Sequence, residues 1–178
     1  MTSSSIPTPD PATGTVPDEV PWNGTAPEGR GPTRTERHAW RAYFEATQML
    51  SELLERGLKK ECGMSLADYN MLLLLYEADQ NRLRLGELAS RMVFAPSRVT
   101  YQVRTLVERG LIERRPVARD RRGFEAVLTD LGRSTFRRAA VQHARHVDEL
   151  FLEHLHDGEA EVLARVFCRV GHTLEKRC

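Results

Sequence analysis

Eleven arginines stand between Arg82 and Arg122 against four acidic residues, Glu87, Glu108, Glu113 and Asp120. The local net charge is +7 in a chain whose total is +1. A guanidinium presents a fixed fork of donors that matches phosphate oxygens and the O6/N7 edge of guanine. A block of them inside a near-neutral chain is the electrostatic footprint of a polyanion partner. Nothing in the residue order suggests covalent chemistry. There is no nucleophile elbow, phosphate-binding loop or metal-hydrolase motif, so the chain does not read as an enzyme. Cys62, Cys168 and Cys178 are odd in number and scattered, which suits neither a disulfide framework nor a zinc site. His143 and His146 lie three apart, with His154 and His156 further on, but no carboxylate or cysteine cluster joins them. Neither a metal nor a cofactor is expected.

The elements that must hold these arginines follow from periodicity. Residues 1–33 carry seven of the nine prolines and a net charge of −3. Such a composition cannot bury enough surface to offset its ordering entropy, and it reads as a disordered tail with Trp22 as its one large apolar group. From Thr35 onward, Trp40, Tyr43, Phe44, Thr47, Leu50, Leu54 and Leu58 recur at three- and four-residue steps. They form the apolar stripe of a first helix, which Gly63 stops. Ser65, with Asp68 three residues on, opens a second helix. Its MLLLLY run is apolar nearly all round and belongs in the core. Residues 83–85 suit a short strand and 86–92 a third helix. The fourth helix opens at Pro96 and closes at Gly110. LIERRP and FEAVLT alternate apolar and polar residues, which predicts two antiparallel strands with 117–123 as the loop between them. Thr129 is placed to cap a long helix over 130–155, and Asp157 to cap a last one.

At about 100° per residue, Val99, Val103, Leu106 and Val107 of the fourth helix gather on one side and should face the core. Ser97, Tyr101, Arg104, Thr105 and Glu108 fall opposite, with Arg98 on the flank. Two arginines, a tyrosine and small hydroxyls suit the major groove of double-stranded DNA. Arg119, Arg121 and Arg122 surround Asp120 at the hairpin tip, and such a tip can place an arginine in the adjacent minor groove. Helix, turn, helix and basic hairpin, in that order, make a winged helix-turn-helix. The expected fold is mainly α with a small β wing.

The stretch resembles the multiple-antibiotic-resistance regulator (MarR) family of bacterial transcription factors. LGELASRM matches the first helix of the motif. PSRVTYQVRTLVERGLIERR matches the recognition helix and first wing strand. DRRGFEAVLTDLGR matches the wing and the start of the long helix. Asp120 and Arg122, followed by Leu128, Thr129 and Gly132, sit at the family's spacing, and the likeness covers about residues 35–175. The resemblance implies that Arg122 enters the minor groove with Asp120 supporting it and Arg121 beside it. It also implies a winged helix-turn-helix over 63–129, with residues 34–62 and 130–178 forming an all-α dimerisation region. Ala95 departs from the pattern, since a serine commonly caps the recognition helix there.

The implied activity is that of a sequence-specific regulator, a ligand-responsive repressor that holds a palindromic operator as a homodimer. The implied effector is a small molecule, often an aromatic acid in this family, in a pocket lined by Trp40, Phe44, Tyr69 and Asn70. Asn70 stands where the urate-type members carry an aspartate, so urate is not carried over. Two alternatives stay open. One is a redox-sensing repressor acting through Cys62, where Lys59 and Lys60 would favour the thiolate. The other is an architectural winged-helix interaction module. Val162, Leu163, Val166, Phe167, Val170 and Leu174 give the last helix more apolar surface than a small monomer needs. No apolar run reaches the length of a membrane span and no secretory signal is read, so no membrane partner and a cytoplasmic location are expected.

Overall fold

The computed structural model describes residues 31–92, 96–117 and 120–175; the side chains at 96–98 and 120–122 are not described. These residues fall into two units, one ending at Tyr43 and the other beginning at Phe44. Most of the expected tail, including Trp22, lies outside the described residues, as does Ala95. Among the described residues, six α-helices and three strands follow in chain order: α1 (Arg34–Cys62), α2 (Leu66–Glu77), β1 (Arg82–Arg84), α3 (Leu85–Arg91), α4 (Pro96–Glu108), β2 (Ile112–Val117), β3 (Asp120–Leu128), α5 (Asp130–Leu150) and α6 (Glu159–Glu175). The strands form one antiparallel sheet in the order β1-β3-β2. The architecture is the mainly helical one with a small wing that the periodicity predicts.

Helix starts are set by side-chain caps. The Thr33 N–H donates to a Glu36 carboxylate oxygen at 2.6 Å, and the Glu36 N–H donates to the Thr33 hydroxyl at 3.2 Å. This reciprocal box opens α1 and was not foreseen, because Thr33 had been grouped with the tail. Ser65 and Asp68 form the full capping box that opens α2. Met71, Leu72 and Leu75 of α2 have no exposed surface. Around them pack Leu58, Met64, Leu88, Val103, Leu106, Ile112, Ala126, Phe136 and Ala139, so α2 is the centre of the core.

The wing differs from expectation. Pairing runs from Ile112↔Leu128 to Pro116↔Phe124, and then jumps so that Val117 faces Asp120. Only residues 118–119 separate the strands, so most of the segment read as a loop is strand. Pro116 has no N–H to give to the ladder, and the register shift at Pro116/Val117 absorbs the interruption. The long helix also stops early. Phe151 leaves helical geometry (φ −139°, ψ −57°) and a 3-10 turn, Leu152–His154, follows. No glycine or proline marks that break in the sequence. The last helix begins two residues after Asp157, and the Glu159 carboxylate accepts the His156 N–H at 2.9 Å.

The joint between α4, the wing and α5 is tight. Gly110 (φ 69°) turns the chain out of α4. Its N–H donates to Val107 O and the Leu111 N–H to Leu106 O, both at 2.9 Å, so the last α4 carbonyls are satisfied. The Thr129 hydroxyl donates to Gly110 O at 2.7 Å and accepts the Gly132 N–H at 2.9 Å. A Cβ at Gly132 would lie 1.9 Å from Leu111 O, a backbone atom that cannot step aside. Gly132→Ala should therefore destabilise the fold by about 3 kcal/mol or more in urea denaturation. An unchanged unfolding midpoint would refute this close approach of α5 to the wing.

Candidate nucleic-acid interface

The inner face of α4 is apolar. Val99, Val103 and Leu106 are buried against the core. Val107 was assigned to the same face but is 37 % exposed. It lies one helical step beyond Leu106, where the apolar arc has turned out past the packed surface. Tyr101, 64 % exposed, stands on the outward side. The Arg104 guanidinium lies 5.9 Å from the Tyr101 ring centroid, and its Nε is 3.3 Å from a Glu108 carboxylate oxygen. The Thr105 hydroxyl donates to Tyr101 O at 3.2 Å, which leaves it chiefly an acceptor toward any partner. The structure thus gathers Tyr101, Arg104 and Thr105 along one flank. Ser97 and Arg98 lie in the first turn of α4, and Asp120, Arg121 and Arg122 open β3.

One arginine escaped the sequence reading. The Arg114 guanidinium carbon lies over the Phe124 ring, 3.6 Å from its centroid. Register places Arg114 opposite Ala126 and Pro116 opposite Phe124. Directly opposed residues share a sheet face, so both side chains belong to the face that buries Ile112, Ala126 and Leu128. The two-residue steps from Ile112 to Arg114 and from Ala126 to Phe124 carried that signal. A cation–π contact of this kind is worth about 0.5–1 kcal/mol at an exposed site, and it restrains the guanidinium on the ring face.

Several other arginines are paired locally. Arg91 meets Glu87 at 2.6 Å, Arg115 meets Glu113 at 2.7 Å and Arg82 meets Glu125 at 3.6 Å. Exposed pairs contribute only about 0–1 kcal/mol, so a phosphate can replace the carboxylate at little cost. Arg109 is different. It is tied within the fold to Asp68 at 3.3 Å and to Gly63 O at 3.0 Å, while part of its side chain stays open to solvent.

The residues proposed to line an effector pocket have mixed placements. The buried Tyr69 ring lies 5.4 Å from Phe136 and 4.3 Å from His143, centroid to centroid. Burial, and secondarily Glu77, pushes its phenol pKa up. Burial, with His146 adding to it, pushes the His143 imidazole pKa down. Its Nδ1 has no hydrogen-bond partner among the described residues. Asn70 is half-buried on α2, and Phe44 is exposed on α1. Trp40 belongs to the first unit, exposed, with its ring 6.0 Å from that of Tyr43.

Cys62 does not have the environment its neighbours suggested. Burial first, then Glu61, raises its pKa, with Arg138 acting in the opposite direction, while Lys59 is engaged by Glu55 at 2.8 Å. Among the described residues no group of three or more His, Cys, Asp or Glu side chains could hold a metal ion, and no helix is long and apolar enough to cross a membrane.

A family model described as the MarR family matches residues 63–123. No curated protein matches the chain. Sco3205, a MarR family transcriptional regulator from Streptomyces coelicolor solved in complex with DNA, is 32 % identical, with a TM-score of 0.78 over 82 % of this chain and 91 % of that one. AbsC, a MarR family transcriptional regulator from the same organism, is 31 % identical, with a TM-score of 0.78 over 83 % and 99 %. The organohalide-sensing regulator RdhR-CbdbA1625, in its 2,4-dichlorophenol-bound form, shares the fold at 20 % identity, with a TM-score of 0.67 over 82 % and 88 %.

The Glu108 carboxylate both occupies Arg104 and repels a polyanion. Glu108→Gln should raise affinity for duplex DNA roughly threefold at low salt, read by fluorescence anisotropy. No gain would mean that Arg104 does not meet DNA.

Proposed function

The chain belongs to the MarR family of transcriptional regulators, and from that premise we propose that it is a cytoplasmic, sequence-specific repressor that binds a two-fold symmetric operator as a homodimer. The observation that carries this reading is the outward flank of α4, where Tyr101, Arg104 and Thr105 stand together beside an arginine-bearing hairpin. The flank reads bases in the major groove, with Ser97 and Arg98 contributing from the first turn of α4. Arg122 enters the neighbouring minor groove, supported by Asp120 and flanked by Arg121. The DNA complex of Sco3205 supports this assignment by analogy.

The dimer is supported by apolar surface that the single chain leaves open. Met49 and Leu53 on α1, Val141 on α5, and Val162, Val170 and Leu174 on α6 are all exposed. Residues 34–62 and 130–178 would interlock with those of a second copy around the reading head of 63–129. A small-molecule effector, of the aromatic-acid or phenolic kind, would favour a spacing of the two heads that does not fit the operator. The dichlorophenol complex of the organohalide sensor supports that class of ligand. The raised pKa of Cys62 weighs against the redox alternative.

Selection of bound duplexes from a random pool tests the reading. The expected product is an inverted repeat with half-site centres about one helical turn apart. No enrichment would favour the architectural module instead. Arg122→Ala should lower the slope of log affinity against log salt by about one; an unchanged slope would remove the wing from the contact. Truncation after Asp157 should abolish the dimer in light scattering, and a surviving dimer would overturn the role given to α6.

A further inference from the structure

Asp68, only 5 % exposed, is the buried charged residue of a polar network at the edge of the apolar core. Its carboxylate accepts the Ser65 N–H at 3.0 Å, as the capping box requires. The same carboxylate also reaches across to α4. It accepts a hydrogen bond from the Gln102 side-chain amide and pairs with the Arg109 guanidinium at 3.3 Å. Gln102 donates in addition to the Ser65 hydroxyl at 3.3 Å, and Arg109 to Gly63 O at 3.0 Å. On the other side of the elbow, the Leu66 N–H donates to Glu55 of α1 at 2.5 Å. The Asp68 network thus joins the cap of α2 to the middle and the exit of α4, and the adjacent Leu66 N–H ties the same cap to α1.

Arg109 directly follows α4 and still donates its N–H to Thr105 O, so the seven residues between it and Gln102 return the two to nearly the same side of the helix, about 10 Å apart along its axis. Two directional contacts so placed fix the rotation of a helix about its axis. Val99, Val103 and Leu106 do so only loosely, since apolar contacts are non-directional. Rotation is the coordinate that matters for reading, because it decides which base edges the flank of Tyr101 and Arg104 meets. We propose that Asp68 is a positioning residue for DNA recognition, holding α4 through Gln102 and Arg109 at the rotation in which its outward flank reads bases; this rests on the DNA-binding function proposed above.

Asp68→Asn keeps the size and a cap acceptor but removes the charge and sets two amide groups against each other. Expected is a fall of about tenfold in affinity for the selected duplex, the size of an ordinary coupling within one network. Affinity for random duplex should be unchanged, because phosphate contacts do not depend on that rotation. Combining Asp68→Asn with Gln102→Glu restores a donor facing an acceptor, and it should recover most of the lost discrimination. Parallel loss of both affinities, or no recovery in the pair, would overturn the proposal. If Asp68→Asn does not fold, Gln102→Leu, which leaves the cap and the net charge intact, is read in the same way. Amide exchange provides a readout that needs no DNA. The Asp68→Asn change should speed exchange over residues 99–108 and leave residues 71–75 protected. Unchanged protection over 99–108 refutes the positioning role. Failure of wild type to discriminate between duplexes would instead refute the recognition reading, and with it the proposal.

Discussion

Met71, Leu72 and Leu75 fall within about 100° of arc on α2, and none retains contact with water. A helix face in that state can exist only if neighbours cover it completely. α5, β3, α3, α4 and β1 supply the cover, and each is thereby given its place. The constraint is apolar and mutual. Full burial of such side chains is worth about 1.5–3 kcal/mol apiece. The exposed arginines add little to this. They are held out from a framework already set by the burial of α2.

What the sequence shows follows from that division. Periodicity finds α1, α2 and α4 because their faces are defined by water on one side and core on the other. The capping residues Ser65 and Thr129 are legible because a cap is a local bargain between a hydroxyl and a free N–H. The wing register was not legible, since it depends on how a proline without an N–H disturbs a ladder formed with a distant strand. Asp68 was read only as a cap. Its second engagement, with Gln102 and Arg109, joins residues 34 and 41 positions away, and no spacing rule reports such a contact. Arg109 shows the same limit from the other side. It counts toward the basic block in the sequence, yet folding ties it to the Asp68 carboxylate and the Gly63 carbonyl.

The basic block therefore changes character on folding. Arg82, Arg91, Arg104 and Arg115 each rest on a nearby carboxylate, and Arg114 rests on an aromatic face. These side chains are ordered without being committed, since exposed pairs exchange at low cost. Ordering in advance removes part of the entropy that long flexible side chains lose at an interface. The carboxylates also lower the field of the free protein, which limits promiscuous adhesion to other polyanions.

The joint at Gly132 has a mechanical meaning. With no side chain at that position, the first turn of α5 lies directly on the backbone of Leu111, and the Thr129 hydroxyl fastens it there. The helix beyond is 21 residues long, about 31 Å. A stiff rod clamped at one end is a lever. If its far end swings, the wing and the exit of α4 must turn with it, since no slack lies between. A tilt of about 5° over such a length corresponds to a displacement of about 3 Å at the other end. A hydrogen atom in place of a methyl group is what makes that transmission rigid.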